Sequence, residues 1–266
     1  MGKYLFGVIA RSLRQFFFFI GRFLVLGLLL IFVSSGIRGS GSAVLGNLYY
    51  HLVIPGVVCH ETAHAAACLC TGVKIVEFAP FKPHGDVLGY VRWDPGRVTL
   101  WTYIAAFLIG TAPLWLGCIL VCFICKLLTK TQLLPERCPI GVYMPFVSGI
   151  AYWKQVAGYS LFLTKSMLKT WNFTSILNIL LFYLLFCIIS EMPPSIPDLQ
   201  TGYPGIILLA VAVVCLNLIP FIGTKIDLLT IRLQPLFFKV HSLIIFVLLL
   251  DFLLFLCVTL PLSLLF

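Results

Sequence analysis

A chain of 266 residues with 61% hydrophobic residues, 10% charged residues and a mean hydropathy of +1.09 lies far outside the range of soluble domains. This composition excludes water-soluble fold classes and leaves an all-α polytopic membrane protein, a single membrane domain over residues 1–266, with the lipid bilayer as its first partner. The net charge of +9 is scattered over several loops without a Lys/Arg tract, which excludes a nucleic-acid partner and points to membrane topology.

A bilayer is crossed by roughly 20 apolar residues. Apolar stretches at 16–36, 47–71, 98–128, 172–191, 204–222 and 242–266 therefore predict about six transmembrane helices. The first combines Lys3, Arg11, Arg14 and Arg22 with the apolar "FLVLGLLLIFV" and then "SSGIRGSGSA", which has the look of a secretory signal. The preceding "FFFFIG" lengthens the run, so residues 1–46 are expected to be a retained N-terminal anchor helix. Basic residues flank alternate loops almost equally and leave the orientation open, with a slight bias to a cytoplasmic N-terminus. A multi-pass protein of the cell membrane is expected.

The second stretch carries "CHETAHAA", residues 59–66. On a helix, the HExxH pattern stacks His60 and His64 at i and i+4 on one face and sets Glu61 one position round. Two imidazoles so placed fit one tetrahedral Zn2+ at about 2.0–2.1 Å, and the glutamate stands beside it to take a proton from water. Each ionisable group near a bilayer centre costs on the order of 2.5 kcal/mol or more, so three in five residues require compensation. Metal coordination supplies it; the bland alternative is a chance pattern hydrogen-bonded between helices. Ala63, Ala65, Ala66 and Ala67 would let neighbouring helices approach closely. His51 falls on the far side of the same predicted helix, and His84 and His241 fall in polar segments, none with a partner at ligand spacing.

Residues 73–93, with "KIVEF" and "LGYVRW" loosely alternating, predict a small β-hairpin-like segment after the HExxH helix. It reads equally as an edge to which a substrate strand adds or as a plain cap on the membrane surface. Most of the ten cysteines sit in apolar spans as small hydrophobes, and "CFIC" at 122–125 stands without a second CxxC, so neither a disulfide framework nor a redox pair is implied. The stretch 139–168 is interrupted by Lys154, prolines and glycines, and reads equally as an interfacial segment or a seventh span.

A catalytic zinc needs a third protein ligand. Glu77, Asp86, Asp94 and Glu136 lie in polar segments, and Glu191, Asp198, Asp227 and Asp251 lie in or beside spans. In "SEMPPSIPDLQTG" the prolines break a helix and free backbone to line a cavity, which would turn Glu191 or Asp198 toward a metal. Arg22 is expected to snorkel to the interface, and Asp251 to face the bundle, paired with it.

HExxH on one span with an aspartate after a proline-rich break two spans later resembles the site-2 protease clan of intramembrane zinc metalloproteases, whose third ligand is the aspartate of an NxxPxxxxDG motif. "SEMPPSIPD" keeps Pro193 and Asp198 at the matching offsets, with Ser190 in place of the asparagine and Leu199 in place of the glycine. "TGVKIVEFAPF" with "GDVLGYVRWDPG" (71–96) is similar to the clan's strand-rich segment, and "FLIGTAPLWLG" (107–117) to its Gly-x-x-Pro helix. The competing "NLIPFIGTKID" (217–227) places Asp227 ten positions after Asn217 and Lys225 where the ligand belongs.

The resemblance covers about residues 50–200 and implies a metalloprotease core over 47–203; the N-terminal anchor and the C-terminal helices over 204–266 lie outside it. It implies metal ligands His60, His64 and Asp198, and Glu61 as catalytic base in a zinc metalloendopeptidase that hydrolyses peptide bonds in or next to membrane-spanning segments. Its partner would be a membrane protein substrate. The missing asparagine and glycine keep a non-proteolytic relative that binds or chaperones membrane helices in view. The buried His/Glu cluster likewise fits an ion or proton transporter.

Overall fold

The fold is described by a computed structural model over residues 2–83, 87–129, 149–170 and 175–256. Helix runs unbroken from Gly2 to Leu45 as α1 (Gly2–Phe16), a π-helical turn (Phe17–Gly21) and α2 (Arg22–Leu45). Gly46, at φ 55°, stops it. A short helix α3 (Asn47–Leu52) follows, then α4 (Ile54–Thr71), which carries HExxH. Gly72, left-handed at φ 73°, closes α4: its N–H bonds Leu69 O at 3.2 Å and the Val73 N–H bonds Cys68 O at 2.9 Å.

That turn launches the hairpin, in which β1 (Lys74–Ala79) pairs antiparallel with β2 (Tyr90–Asp94). A hydrogen bond from Lys82 N to Leu88 O, 2.7 Å, narrows the connection, and buried Leu88 packs with Tyr49, Val53 and Val57. The hairpin is thereby tied down over the N-terminal half of α4. The expected strand-rich segment is present.

The rest is helical: α5 (Leu100–Thr129), α6 (Gly149–Thr170), α7 (Ile176–Glu191), α8 (Ile196–Asn217) and α9 (Pro220–Leu254). A core of buried apolar residues joins Leu26 and Leu30 of α2, Val121 of α5, Met167 of α6, Ile189 of α7 and Phe246 of α9. Small residues set the closest approaches. A Cβ on Gly56 of α4 would collide with the Cys187 carbonyl of α7, and one on Gly110 of α5 would lie 2.5 Å from the Asp198 carbonyl of α8. These contacts draw α4, α5, α7 and α8 together around the histidines.

Four helices are long and apolar enough to cross a membrane, Gly2–Leu45, Leu100–Leu128, Ile196–Asn217 and Pro220–Leu253, as an integral membrane protein requires. Two of the six expected spans are shorter. The stretch 47–71 divides at Val53 into α3 and the 18-residue α4, and 172–191 yields the 16-residue α7. The expected last span, 242–266, begins inside α9, which also runs through the stretch between it and the expected span 204–222; residues 257–266, with Cys257, lie outside the described residues. Of the undecided stretch 139–168, residues 149–168 form helix α6 and 139–148 lie outside the described residues.

Buried charges depart from expectation in part. Asp251 does face the bundle, fully buried, and accepts a hydrogen bond from Ser34 Oγ at 2.7 Å. Arg22 does not pair with it: the guanidinium stacks over the Tyr152 ring at 4.3 Å, where Nη1 is buried rather than snorkelled. His241, expected in a polar segment, is fully buried on α9 with Nδ1 2.5 Å from the Tyr152 hydroxyl. The unbroken course of α9 puts it there. His51 lies on α3 rather than on the HExxH helix, its ring exposed and Nδ1 bonded to Asn47 O at 2.9 Å. His84, Asp86 and Glu136 lie outside the described residues.

Candidate metal centre

His60 and His64 sit one turn apart on α4, and each ring is oriented through Nδ1. His60 Nδ1 lies 2.6 Å from the backbone carbonyl of Glu191, and His64 Nδ1 lies 2.8 Å from that of Ile109. A carbonyl oxygen only accepts, so in both rings Nδ1 carries a proton, and in the neutral ring Nε2 then faces Asp198 with its lone pair.

Both acceptors are carbonyls that proline has released from helical pairing. Ile109 O would normally receive the N–H four residues on, but that residue is Pro113, inside α5. The ring supplies no donor and pushes the carbonyl outward. Glu191 ends α7, and beyond it Pro193 and Pro194 have no N–H to offer. The next candidate, Ser195 N–H, is turned away to the Asp198 carboxylate at 2.7 Å.

That last bond belongs to the capping box that opens α8. Ser195 is the N-cap, Asp198 the third helical residue, and Asp198 Oδ2 accepts from both Ser195 N and Ser195 Oγ, the latter at 2.6 Å. The carboxylate is thus fixed at a helix N-terminus, where negative charge is favoured. It meets both histidines, with Oδ1 3.2 Å from His64 Nε2 and Oδ2 3.4 Å from His60 Nε2. The two Nε2 atoms are 3.1 Å apart.

These separations fit a metal ion. A tetrahedron with bonds of about 2.0–2.1 Å has edges of about 3.3–3.4 Å, close to the 3.1 Å between the two nitrogens and to the 3.2 and 3.4 Å that separate them from Oδ1 and Oδ2 of Asp198. Two bare imidazole lone pairs and a carboxylate facing one another are mutually repulsive unless a positive charge lies among them. The group His60, His64 and Asp198 can therefore hold a metal ion, and among the described residues it is the one His/Cys/Asp/Glu cluster of that kind.

The rival carboxylates are engaged elsewhere. Asp227 is held by Arg14 at 3.0 Å, Gln15 at 2.8 Å and Arg11 at 3.5 Å, joining α1 to α9. Glu191 pairs with Arg38 at 2.5 Å and contributes only its carbonyl to the histidines. Asp251 is bound by Ser34. Ser190, in the asparagine position of the resembled motif, spends its hydroxyl on Cys187 O at 3.2 Å.

Glu61, 8% exposed, shares a cavity of about 850 Å³ with the three donors. Its walls come from α2 (Ser34, Ser35, Arg38, Gly39, Ser42), the β2 side of the hairpin, and the Pro193–Pro197 break. Gly89 roofs the glutamate: a Cβ there would lie 2.8 Å from Glu61 Cγ.

Sequence reading missed Ser195, Gly89, the α2 wall and the role of Pro113, noted there only within a Gly-x-x-Pro stretch. Two of these had a local signal. Ser195-x-x-Asp198 is a capping-box pattern, and Ser34, Ser35, Arg38, Gly39 and Ser42 form one helix face inside an apolar run. Gly89 and the role of Pro113 depend on contacts between distant segments. No family model, curated protein or solved structure matches the chain.

Proposed function

We propose that the chain is an intramembrane zinc metalloprotease, a divergent relative of the site-2 protease clan, that hydrolyses peptide bonds in or next to membrane-spanning segments. The observation that carries this reading is the meeting of His60 Nε2, His64 Nε2 and Asp198 from two helices at metal-ligand spacing beside Glu61. On this reading α4 and α7 complete six spans in a multi-pass protein of the cell membrane, thinned locally around a polar cavity.

Bound zinc would supply Lewis acidity toward a scissile carbonyl and toward water. The chain's own residues do the rest. Glu61, adjacent to His60 on α4, takes a proton from water in the cavity and returns it to the leaving amine. The prolyl-freed carbonyls keep both imidazoles in the neutral Nδ1–H form. The β2 face of the cavity, with Tyr90 and Val91, offers an extended substrate a strand to lie against. The serines of α2 give the cavity wall polar groups to which water can bond.

Metal analysis of purified protein tests the proposal, with His64→Asn as comparison. The asparagine amide can still meet the Ile109 carbonyl but has no donor at the Nε2 position. Wild type should hold about one zinc per chain and the variant far less; equal metal in both refutes the centre. Glu61→Gln should keep zinc and abolish cleavage of single-span reporter substrates in proteoliposomes. Metal without cleavage in wild type would indicate a non-proteolytic relative, and metal-free wild type a transporter.

A further inference from the structure

The mechanism leaves one half-buried ion pair unused. Arg38 of α2 and Glu191 of α7 meet at 2.5 Å between Nη2 and Oε2, with the Glu191 side chain almost wholly buried and the guanidinium reaching into the cavity. Glu191 is also the residue whose backbone carbonyl receives the His60 Nδ1–H at 2.6 Å. It is the last residue of α7, and the chain beyond it passes through Pro193 and Pro194, which add no backbone N–H to hold the segment. Helix ends fray where their terminal groups lack partners. Here the end must stay fixed, because it orients one metal ligand directly and leads within seven residues to another, Asp198.

We infer that Arg38 is a positioning residue for the metal centre. It pins the Glu191 side chain to α2 and so immobilises the carbonyl that orients His60. Its second effect is to keep a third carboxylate out of the centre. Glu191 adjoins His60, and without a partner its charge would be drawn to any cation held there; the Arg38 Nη2 contact to Oε2 gives that charge a counter-ion of its own, while Oε1 accepts no hydrogen bond. Arg38 does this from outside the coordination sphere, across the cavity wall.

Its neighbours on α2 show that the contact is part of a docked face. One turn earlier, Ser34 donates to buried Asp251 of α9 at 2.7 Å. One turn later, Gly41 packs directly on the Tyr49 ring, where a Cβ would collide. The N-terminal helix is thus fastened at three successive levels, to α9, α7 and α3, and only the Arg38 level reaches a residue that touches a metal-binding histidine.

This inference rests on the metal-centre reading of His60, His64 and Asp198, and metal affinity tests it apart from catalysis. Zinc affinity is measured by chelator competition, and the ligand field by the visible spectrum of the cobalt-loaded protein, for wild type, Arg38→Gln, Arg38→Lys and the double variant Arg38→Gln/Glu191→Gln. Arg38→Gln should weaken zinc binding by about 10- to 100-fold, the usual cost of losing an outer partner of a ligand, and shift the cobalt bands. Arg38→Lys, which keeps the charge and guards against a failure of the first variant to fold, should lose less. The double variant removes the stray charge and should recover much of the affinity. Zinc binding by Arg38→Gln equal to wild type overturns the inference while leaving the metal centre intact, and a double variant no better than the single one overturns its second part, the sequestered charge. Wild-type protein that takes up no metal overturns both.

Discussion

Replacing Pro113 by alanine should move stability and metal affinity in opposite directions. Proline inside a helix costs up to about 3 kcal/mol relative to alanine, through a lost hydrogen bond and a clash with the carbonyl four residues earlier. In α5 that carbonyl is Ile109 O, and it serves His64 instead. Pro113→Ala supplies the missing N–H and removes the clash, so the carbonyl can turn back into the helix axis. The metal-free protein should melt higher. His64, 6% exposed, then has an Nδ1–H with no good acceptor. An unsatisfied buried donor costs about 1–3 kcal/mol, or about 5- to 150-fold in zinc affinity if it must be borne in the bound state. Thermal melting in detergent and chelator competition on the same preparations read the two effects. Pro235→Ala, in α9, repairs a helix in the same way and should leave zinc affinity unchanged. A Pro113→Ala protein that is more stable and binds zinc as tightly as wild type would refute the claim that the proline exists to free the His64 acceptor.

Two further outcomes follow from the site geometry. Asp198→Asn removes the negative donor and should lower zinc affinity by at least the about 10- to 100-fold typical of an outer-partner loss, whereas Asp227→Asn, which disturbs only the Arg11, Arg14 and Gln15 cluster, should leave metal content unchanged; the reverse result in metal analysis would move the centre to the start of α9. Gly89→Ala places a methyl group 2.6 Å from the Pro80 carbonyl and 2.8 Å from Glu61 Cγ, and of the two the side chain is the one able to move. Zinc should stay bound while reporter cleavage drops on the order of 10²-fold, the effect of misplacing a catalytic group by about 1 Å, and undiminished cleavage would show that Glu61 is not held by that roof.

His60, Glu61 and His64 were legible because a single local rule, the 3.6-residue turn, fixes their relation. Asp198 was legible only as one choice among several, since nothing within reach of residue 198 in sequence says what stands across from it. Asp227 illustrates the difficulty: its exclusion comes from Arg11 and Arg14, more than 200 positions away. His241 looked like part of a polar segment, yet α9 runs through it and turns it into the bundle together with Gln234 and Ser242. In a lipid-facing protein, polar residues mark either a water-exposed loop or a protected interior, and composition alone does not separate the two. The span count suffered for a related reason. The HExxH helix and α7 abut the cavity and the proline break, so they end sooner than a purely apolar crossing would.

The prolines join these threads. In a hydrocarbon interior a carbonyl without a donor is costly, and a chain that breaks its helices there must satisfy each freed group. Pro113 releases one carbonyl on α5, and the Pro193–Pro194 break leaves another at the end of α7; each is taken up by an imidazole Nδ1–H of α4. The same break lets the chain restart at Ser195, whose cap fixes Asp198 opposite those rings. Two conditions that are separately unfavourable, interrupted helices and polar side chains in an apolar bundle, thus satisfy one another. The cost that remains is the crowding of two Nε2 lone pairs and a carboxylate at 3.1–3.4 Å. Backbone and side-chain hydrogen bonds have already been spent on the carbonyls and on Ser195, so what can still relieve that crowding is a cation.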